Sequence, residues 1–211
     1  MFENIIKNVH NRHPLIHCIT NYVSINDCAN IVLACGGAPI MAEDINEVSQ
    51  ITSICQGLDI NIGMLNDNKL SSMLKAGATA NELGIPVILD PVGAGSSDYR
   101  IKAVQNLMSN VQFGVIRGNV SEIKAIAANQ GIHNISAGVY DTMQKDKSAM
   151  GVEAGIADKI TDDNIKEMAD FINKLSQKTG AVIAVTGRID MVADETVSYT
   201  HLRAHETLSD L

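Results

Sequence analysis

ANELGIPVILDPVGAG, residues Ala80–Gly95, holds three kinds of local signal in one line. Its first part ends a helical pattern running over Asn66–Leu83. Leu70, Met73, Leu74, Gly77 and Ala78 recur along one face there, and Gly84 stands where a helix closes on a left-handed residue. Pro86–Leu89 (PVIL) follows as a short, continuously apolar strand, the composition of a strand buried on both faces. It runs into Asp90 and then into the glycine-rich turn Pro91–Gly95. A helix, a buried strand, then an acid with glycines at the strand's carboxyl end predict an α/β fold built on a parallel sheet.

The same alternation extends in both directions. Upstream, Leu15–Thr20 (LIHCIT) reads as a strand ending in Asn21, followed by a helix over Ser24–Ala34 with Ser24 and Asp27 at capping-box spacing. Asp44–Cys55 reads as a second helix, with Ile45, Val48, Ile51 and Ile54 on one face, and Leu58–Ile62 as a strand closed by Gly63. Downstream, Arg100–Asn110 is helical, Phe113–Ile116 a strand, Asn119–Asn129 a helix, and 131–150 a long surface connection. Asp162–Lys178 carries a strong stripe through Ile165, Met168, Ala169, Ile172 and Leu175, and Ala181–Val185 and Met191–Ala193 are strands. The expectation is one α/β domain, a three-layer sandwich with helices on both faces of a mostly parallel sheet.

That architecture calls for more helices after Met191–Ala193, yet the chain ends in VSYTHLRAHETLSDL, with only a weak stripe through Leu202, Leu208 and Leu211. Residues 1–196 therefore read as an incomplete domain and 197–211 as a non-native tail. His201 and His205 stand four residues apart in that tail, but no third ligand is near, so no metal site is expected there.

Composition narrows the class. Sixteen Lys and Arg against 24 Asp and Glu, a net charge of −8, argue against nucleic acid as a partner. No apolar run approaches the ~20 residues of a membrane helix, and the opening MFENIIKNVHNRHP lacks a signal-peptide core, so a cytoplasmic location is expected. Cys18, Cys28, Cys35 and Cys55 form no C-x-x-C pair and read as small buried apolar side chains in a reducing compartment.

Open α/β sheets bind ligands beyond the carboxyl ends of their strands. Those ends carry Thr20-Asn21, Gly63, Asp90–Gly95, Arg117-Gly118-Asn119 and Thr186-Gly187. A carboxylate, an arginine, a hydroxyl and close-approach glycines gathered on one edge favour a phosphate-handling site. Asp90 reads as a magnesium-facing acid or as part of a plain Asp-Pro turn. Arg117 reads as a phosphate fork or a surface arginine. Glu122 reads as a metal-facing acid or as the third residue of an Asn119 capping box. His17, on a buried strand, reads as a hydrogen-bonded core histidine. The chain has no Walker loop, no protein-kinase catalytic loop and no dinucleotide fingerprint.

HCITNYVSINDCAN (17–30), GGAPIMAED (36–44), NIGML (61–65), ANELGIPVILDPVGAG (80–95), VIRGNVSEI (115–123) and AVTGRIDMVAD (184–194) together resemble the hydroxyethylthiazole kinases of thiamine salvage, in the ribokinase-like superfamily. The resemblance runs from about Pro14 to Asp194. It implies transfer of the γ-phosphoryl of ATP, with Mg2+, to the hydroxyl of 4-methyl-5-(2-hydroxyethyl)thiazole. It also implies thiazole contacts at Met41, Asn21 and Val23, ATP contacts at Arg117, Thr186 and Asn21, and magnesium-facing acids at Asp90 and Glu122. A homotrimer with the thiazole pocket between subunits is implied as well. The family's G-A-G-C motif, whose cysteine lies beside the substrate hydroxyl, does not occur in this sequence. The resemblance therefore supplies no catalytic residue here, and a catalytically dead truncated remnant stands as an alternative, beside a kinase for another small alcohol such as a hydroxymethylpyrimidine.

Overall fold

The computed structural model describes residues 2–132, 160–161, 163–196 and 198–203. The elements run α1 (Phe2–Arg12), β1 (Leu15–Ile19), α2 (Ile25–Ala34), β2 (Ala38–Ile40), α3 (Val48–Ile54), β3 (Gly57–Asn61), α4 (Asp67–Glu82) and β4 (Val87–Asp90). They continue with α5 (Asp98–Asn110), β5 (Val115–Asn119), α6 (Val120–Asn129), α7 (Ile165–Thr179), β6 (Val182–Thr186), β7 (Ile189–Ala193) and β8 (Ser198–Arg203). Two compact units result. Met1–Asp90 with Asn106–Phe113 forms one, and Pro91–Gln105 with Gly114–Leu211 the other.

In the first unit four parallel strands lie in the order β2-β1-β3-β4. Ile19, Ile60 and Leu89 share one row of the register and are wholly buried, the continuous apolar core that the strand compositions predict. The chain leaves β1 for β2 on one side and returns to β3 on the other, so the strand order switches between β1 and β3. With right-handed crossovers, α2 lies on one side of the sheet, packed on β2 with no buried residue, and α3 and α4, which pack on each other, cover the opposite side.

Helix α4 starts where Asn66 predicts it to, with the Asn66 side chain accepting the Lys69 backbone N–H at 2.9 Å, and Gly84 beyond its end has φ +68°. Its buried face is rotated from the expected stripe. Met73 and Gly77 are buried, but Ala78 is exposed, and Lys69, Ser72, Ala76 and Ala80 take the remaining inward places. Small residues face inward because the neighbouring chain comes close: a Cβ on Gly77 would lie 2.5 Å from Val111 Cγ2.

Helix α3 is shorter than Asp44–Cys55. The Asp44 carboxylate takes the Asn46 N–H at 2.8 Å and diverts the first turn, which leaves Ile45 exposed while Val48 is buried. Residue 113 is likewise not yet strand. The Gln112 backbone donates to Asn81 Oδ1 at 2.7 Å and accepts from Asn81 Nδ2 at 2.9 Å, so Asn81 holds the entry to β5.

In the second unit β5 and β6 are parallel, and β7 and β8 add antiparallel strands beyond β6. Helix α7 buries Met168, Phe171, Ile172, Leu175 and Ser176, close to its predicted stripe. Ser198–Arg203, within the segment read as a tail, forms β8, with Ser198 opposite Ala193 and Thr200 opposite Met191. Leu202 thus belongs to a strand and not to a helical stripe. His205, Leu208, Leu211 and positions 133–150 of the expected connection lie outside the described residues.

Candidate functional site

At the carboxyl ends of the first unit's strands, three polar side chains form a chain across the switch in strand order. Asn21, just after β1, donates from Nδ2 to Asn61 Oδ1 at 3.4 Å. Asn61, the last residue of β3, donates from its own Nδ2 to Asp90 Oδ2 at the end of β4, at 2.8 Å. Its Oδ1 also accepts the Gly63 N–H at 2.8 Å. A side chain at Gly63 would crowd both amides, since a Cβ there would lie 2.9 Å from Asn61 Oδ1 and 3.0 Å from Asn21 Nδ2. Asn61 is nearly buried and absent from the sequence-based site. The legible signal is an amide near the carboxyl end of the strand LDINI.

Asn21 also displaces an expected cap. Its Oδ1 accepts both the N–H and the hydroxyl of Ser24, at 3.0 and 3.1 Å, so Ser24 stands at the start of α2 without capping it through its side chain.

Met41 lies half-buried one residue past β2. The next two residues are held from below and from the side. The Ala42 carbonyl accepts from Nε2 of the fully buried His17 at 2.8 Å, and His17 Nδ1 meets the Thr52 hydroxyl at 2.9 Å. Burial pushes the His17 imidazole below its ordinary value, against the opposing pull of the Ala42 carbonyl and the Glu47 charge. The Glu43 carboxylate pairs with Lys69 Nζ at 2.8 Å and accepts the Tyr22 hydroxyl. Burial pushes Glu43 up, but the hydrogen bonds from Lys69 and Tyr22 prevail and hold it below its ordinary value. The hydrogen bond to Glu43 raises the Tyr22 phenol. Val23, in the turn between β1 and α2, is 88% exposed and joins neither group.

In the second unit Glu122 carries both readings that its spacing allows. It completes the capping box of α6, with Asn119 N–H to Glu122 Oε2 at 2.8 Å and Glu122 N–H to Asn119 Oδ1 at 3.0 Å. Its other oxygen, Oε1, accepts the Gly93 N–H at 3.0 Å and so anchors the glycine-rich turn. Asn119 and Thr186 are register partners at the ends of β5 and β6, and the Thr186 hydroxyl donates to the Gly118 carbonyl at 3.4 Å. Arg117 lies inside β5, opposite Ala184, with its side chain exposed.

Among the described residues no group of three or more His, Cys, Asp or Glu could hold a metal ion. All four cysteines are free. Cys18 and Cys55 are buried, and burial pushes the Cys18 thiol up to about 12, an inert form. Cys35 departs from the buried expectation and is exposed at the end of α2.

The family model for the hydroxyethylthiazole kinase family matches residues 6–211. A hydroxyethylthiazole kinase of Clostridium acetobutylicum is 49% identical over all 211 residues, which cover 71% of that protein. One of Desulfovibrio desulfuricans is 46% identical over 92% of this chain and 62% of its own length. Among solved structures, the hydroxyethylthiazole kinase protein of Pyrococcus horikoshii superposes with a TM-score of 0.75 at 30% identity, over 93% of this chain and 65% of that one. A ribokinase-like superfamily protein of Enterococcus faecalis, at TM-score 0.51 and 7% identity, shares the fold alone. The α/β architecture is thus the ribokinase-like one, and the chain spans about two thirds of the length of these relatives. A match over nearly every residue, joined to the backbone of a solved thiazole kinase, makes this chain a member of the hydroxyethylthiazole kinase family.

Proposed function

We propose that this chain carries the site that phosphorylates 4-methyl-5-(2-hydroxyethyl)thiazole. The hydroxyethyl oxygen forms a bond to the γ-phosphorus of ATP, the bond from that phosphorus to ADP breaks, and the hydroxyl proton is released. The observation that carries the reading is the Asn21–Asn61–Asp90 chain at the switch in strand order, where open α/β sheets take their ligands. It occurs in a sequence 49% identical to a hydroxyethylthiazole kinase.

The roles are those that the family resemblance implies, and the chemistry of each side chain suits its role. Met41 offers a soft, half-buried thioether to the thiazole ring, and the Asn21 amide orients the substrate and a phosphate. Arg117, an exposed fork within β5, and Thr186, a hydroxyl at the end of β6, are offered to the phosphates of ATP. Asp90, oriented by Asn61, and Glu122, oriented by two backbone N–H groups, are hard oxygen donors suited to magnesium. One or two carboxylates plus substrate phosphates is how proteins hold that ion. Magnesium, when bound, neutralises charge on the phosphates. The protein's share is positioning and fixed dipoles, including the glycine-rich turn that Glu122 anchors.

The reading includes a homotrimer with the pocket between copies. Val23, Ile31, Leu33 and Tyr22 are 88%, 63%, 56% and 53% exposed, apolar and aromatic side chains available to a second copy. It also places the protein in the cytoplasm, which suits free cysteines and the use of ATP; among the described residues no helix is long and apolar enough to cross a membrane. Transfer of labelled phosphate from ATP to the thiazole alcohol and to a hydroxymethylpyrimidine, each paired with calorimetric binding, tests the assignment. Uptake and phosphorylation of the thiazole alcohol are expected. Selective use of the pyrimidine, or no binding of the thiazole, refutes it.

A further inference from the structure

Lys69 is buried at the third position of α4, and two forces oppose a lysine there. The N-terminus of a helix carries positive partial charge, and burial strips the ammonium of water. Lysine is almost never buried without a partner. Here it has three, all from segments that carry site residues. Nζ pairs with Glu43 Oε2 at 2.8 Å, donates to the Thr20 carbonyl, and lies 4.5 Å from the centre of the Tyr22 ring. Tyr22 closes the group by donating its hydroxyl to the other Glu43 oxygen.

Thr20 immediately precedes Asn21, and Glu43 stands two residues after Met41. The ammonium therefore ties the end of β1 to the loop after β2, two segments also joined through His17 and the Ala42 carbonyl and through Tyr22 and Glu43. A backbone carbonyl, a carboxylate and a ring face are satisfied at once by one cation. Removing its charge leaves Glu43 without its ion pair and the Thr20 carbonyl without this donor.

We propose that Lys69 is a positioning residue for the alcohol substrate: through Glu43 and Tyr22 it holds the Met41–Glu43 loop in register with Asn21. The proposal rests on the reading that Met41 and Asn21 face the thiazole. It assigns Lys69, Glu43 and Tyr22 no contact with the reacting atoms. Loosening the group should misplace Met41 relative to Asn21 and leave the second unit's Arg117 and Thr186 as they are.

The test uses the full chain and two separate calorimetric titrations, with the thiazole alcohol and with magnesium-ATP, on wild type, Lys69→Met, Glu43→Gln, Tyr22→Phe and Met41→Ala. Lys69→Met and Glu43→Gln are expected to weaken the alcohol about tenfold or more, the scale of a lost hydrogen bond to a charged group, and magnesium-ATP by less than about twofold. Tyr22→Phe, which loses one hydrogen bond and keeps the ion pair, should fall between. If Lys69→Met does not fold, Glu43→Gln decides, because it keeps the shape and removes only the charge. Unchanged alcohol affinity in folded variants, or equal loss of both ligands, overturns the positioning role. A loss with Met41→Ala but not with Lys69→Met or Glu43→Gln does so while leaving the proposed function standing. Failure of wild type to bind the alcohol overturns both.

Discussion

Replacing Asn61 by aspartate tests the polar chain at the strand ends with almost no change of shape. The variant keeps an oxygen for the Gly63 N–H and turns the donor that meets Asp90 Oδ2 at 2.8 Å into a second carboxylate oxygen. Two unit charges about 3 Å apart repel by about 5 kcal/mol at an effective dielectric of ~20. Asp90 is half-buried, so rotation and water relieve part of that and leave about 2–4 kcal/mol. The pair can escape by sharing a proton, as two carboxylates at one site do, which raises one folded-state pKa by about two to three units. The folded variant then binds a proton more tightly than the unfolded chain. Its deficit is nearly absent below about pH 4 and grows as pH rises, to become full above about pH 7.

Urea unfolding of wild type and Asn61→Asp near pH 7.5 and near pH 4.5 reads this directly, provided the m-values agree. A deficit of about 2–4 kcal/mol at the higher pH, shrinking to under about 1 kcal/mol at the lower, is expected. Asn61→Ala, which only deletes the donor, should cost about 1.5–3 kcal/mol with no comparable pH dependence. An Asn61→Asp deficit that is equal at both pH values, or absent at the higher one, refutes Asn61 as the donor that orients Asp90.

Glu122→Gln leaves one oxygen for two backbone N–H groups, so it should destabilise by about 1–3 kcal/mol in urea and weaken magnesium-ATP binding; a stability change under about 0.5 kcal/mol would contradict the bridge between Asn119 and Gly93. Gly63→Ala forces a methyl to within 3.0 Å of the Asn21 and Asn61 amides and should cost about 1–3 kcal/mol and weaken the thiazole alcohol, with wild-type affinity and melting as the contrary result. His17 has its folded-state value lowered by burial, so the unfolded chain takes up the proton first. Its contribution is whole above the ordinary value of about 6.5 and is lost as pH falls through the lowered one, and His17→Gln should flatten that part of the stability–pH curve.

Much of this was readable along the chain. PVIL before Asp90 forms a parallel strand as its apolar run predicts, but only Val87 and Leu89 are buried, while Ile88 on the other face is 41% exposed; Asn66 begins α4 because its side chain can serve a free N–H. Two helix starts that went astray each met a competing side chain. Asn21 took the Ser24 hydroxyl that would have capped α2, and Asp44 took the N–H that α3 needed. Glu122 satisfies the capping box that spacing suggests and also reaches Gly93, a contact with no local signature.

The sequence by itself determined the α/β class, the order of its elements, the acids, amides and glycines at strand ends, and the family. Those properties rest on composition and spacing within a single element or at its end. Only the tertiary structure decided that Asn61 joins Asn21 to Asp90 and that Lys69 turns inward to Glu43. Neither is visible along the chain, because Asn61 lies 40 residues from Asn21 and 29 from Asp90. A polar group's role is set by which partners burial brings within 3 Å or so of it, and parallel pairing through crossovers chooses those partners at long range.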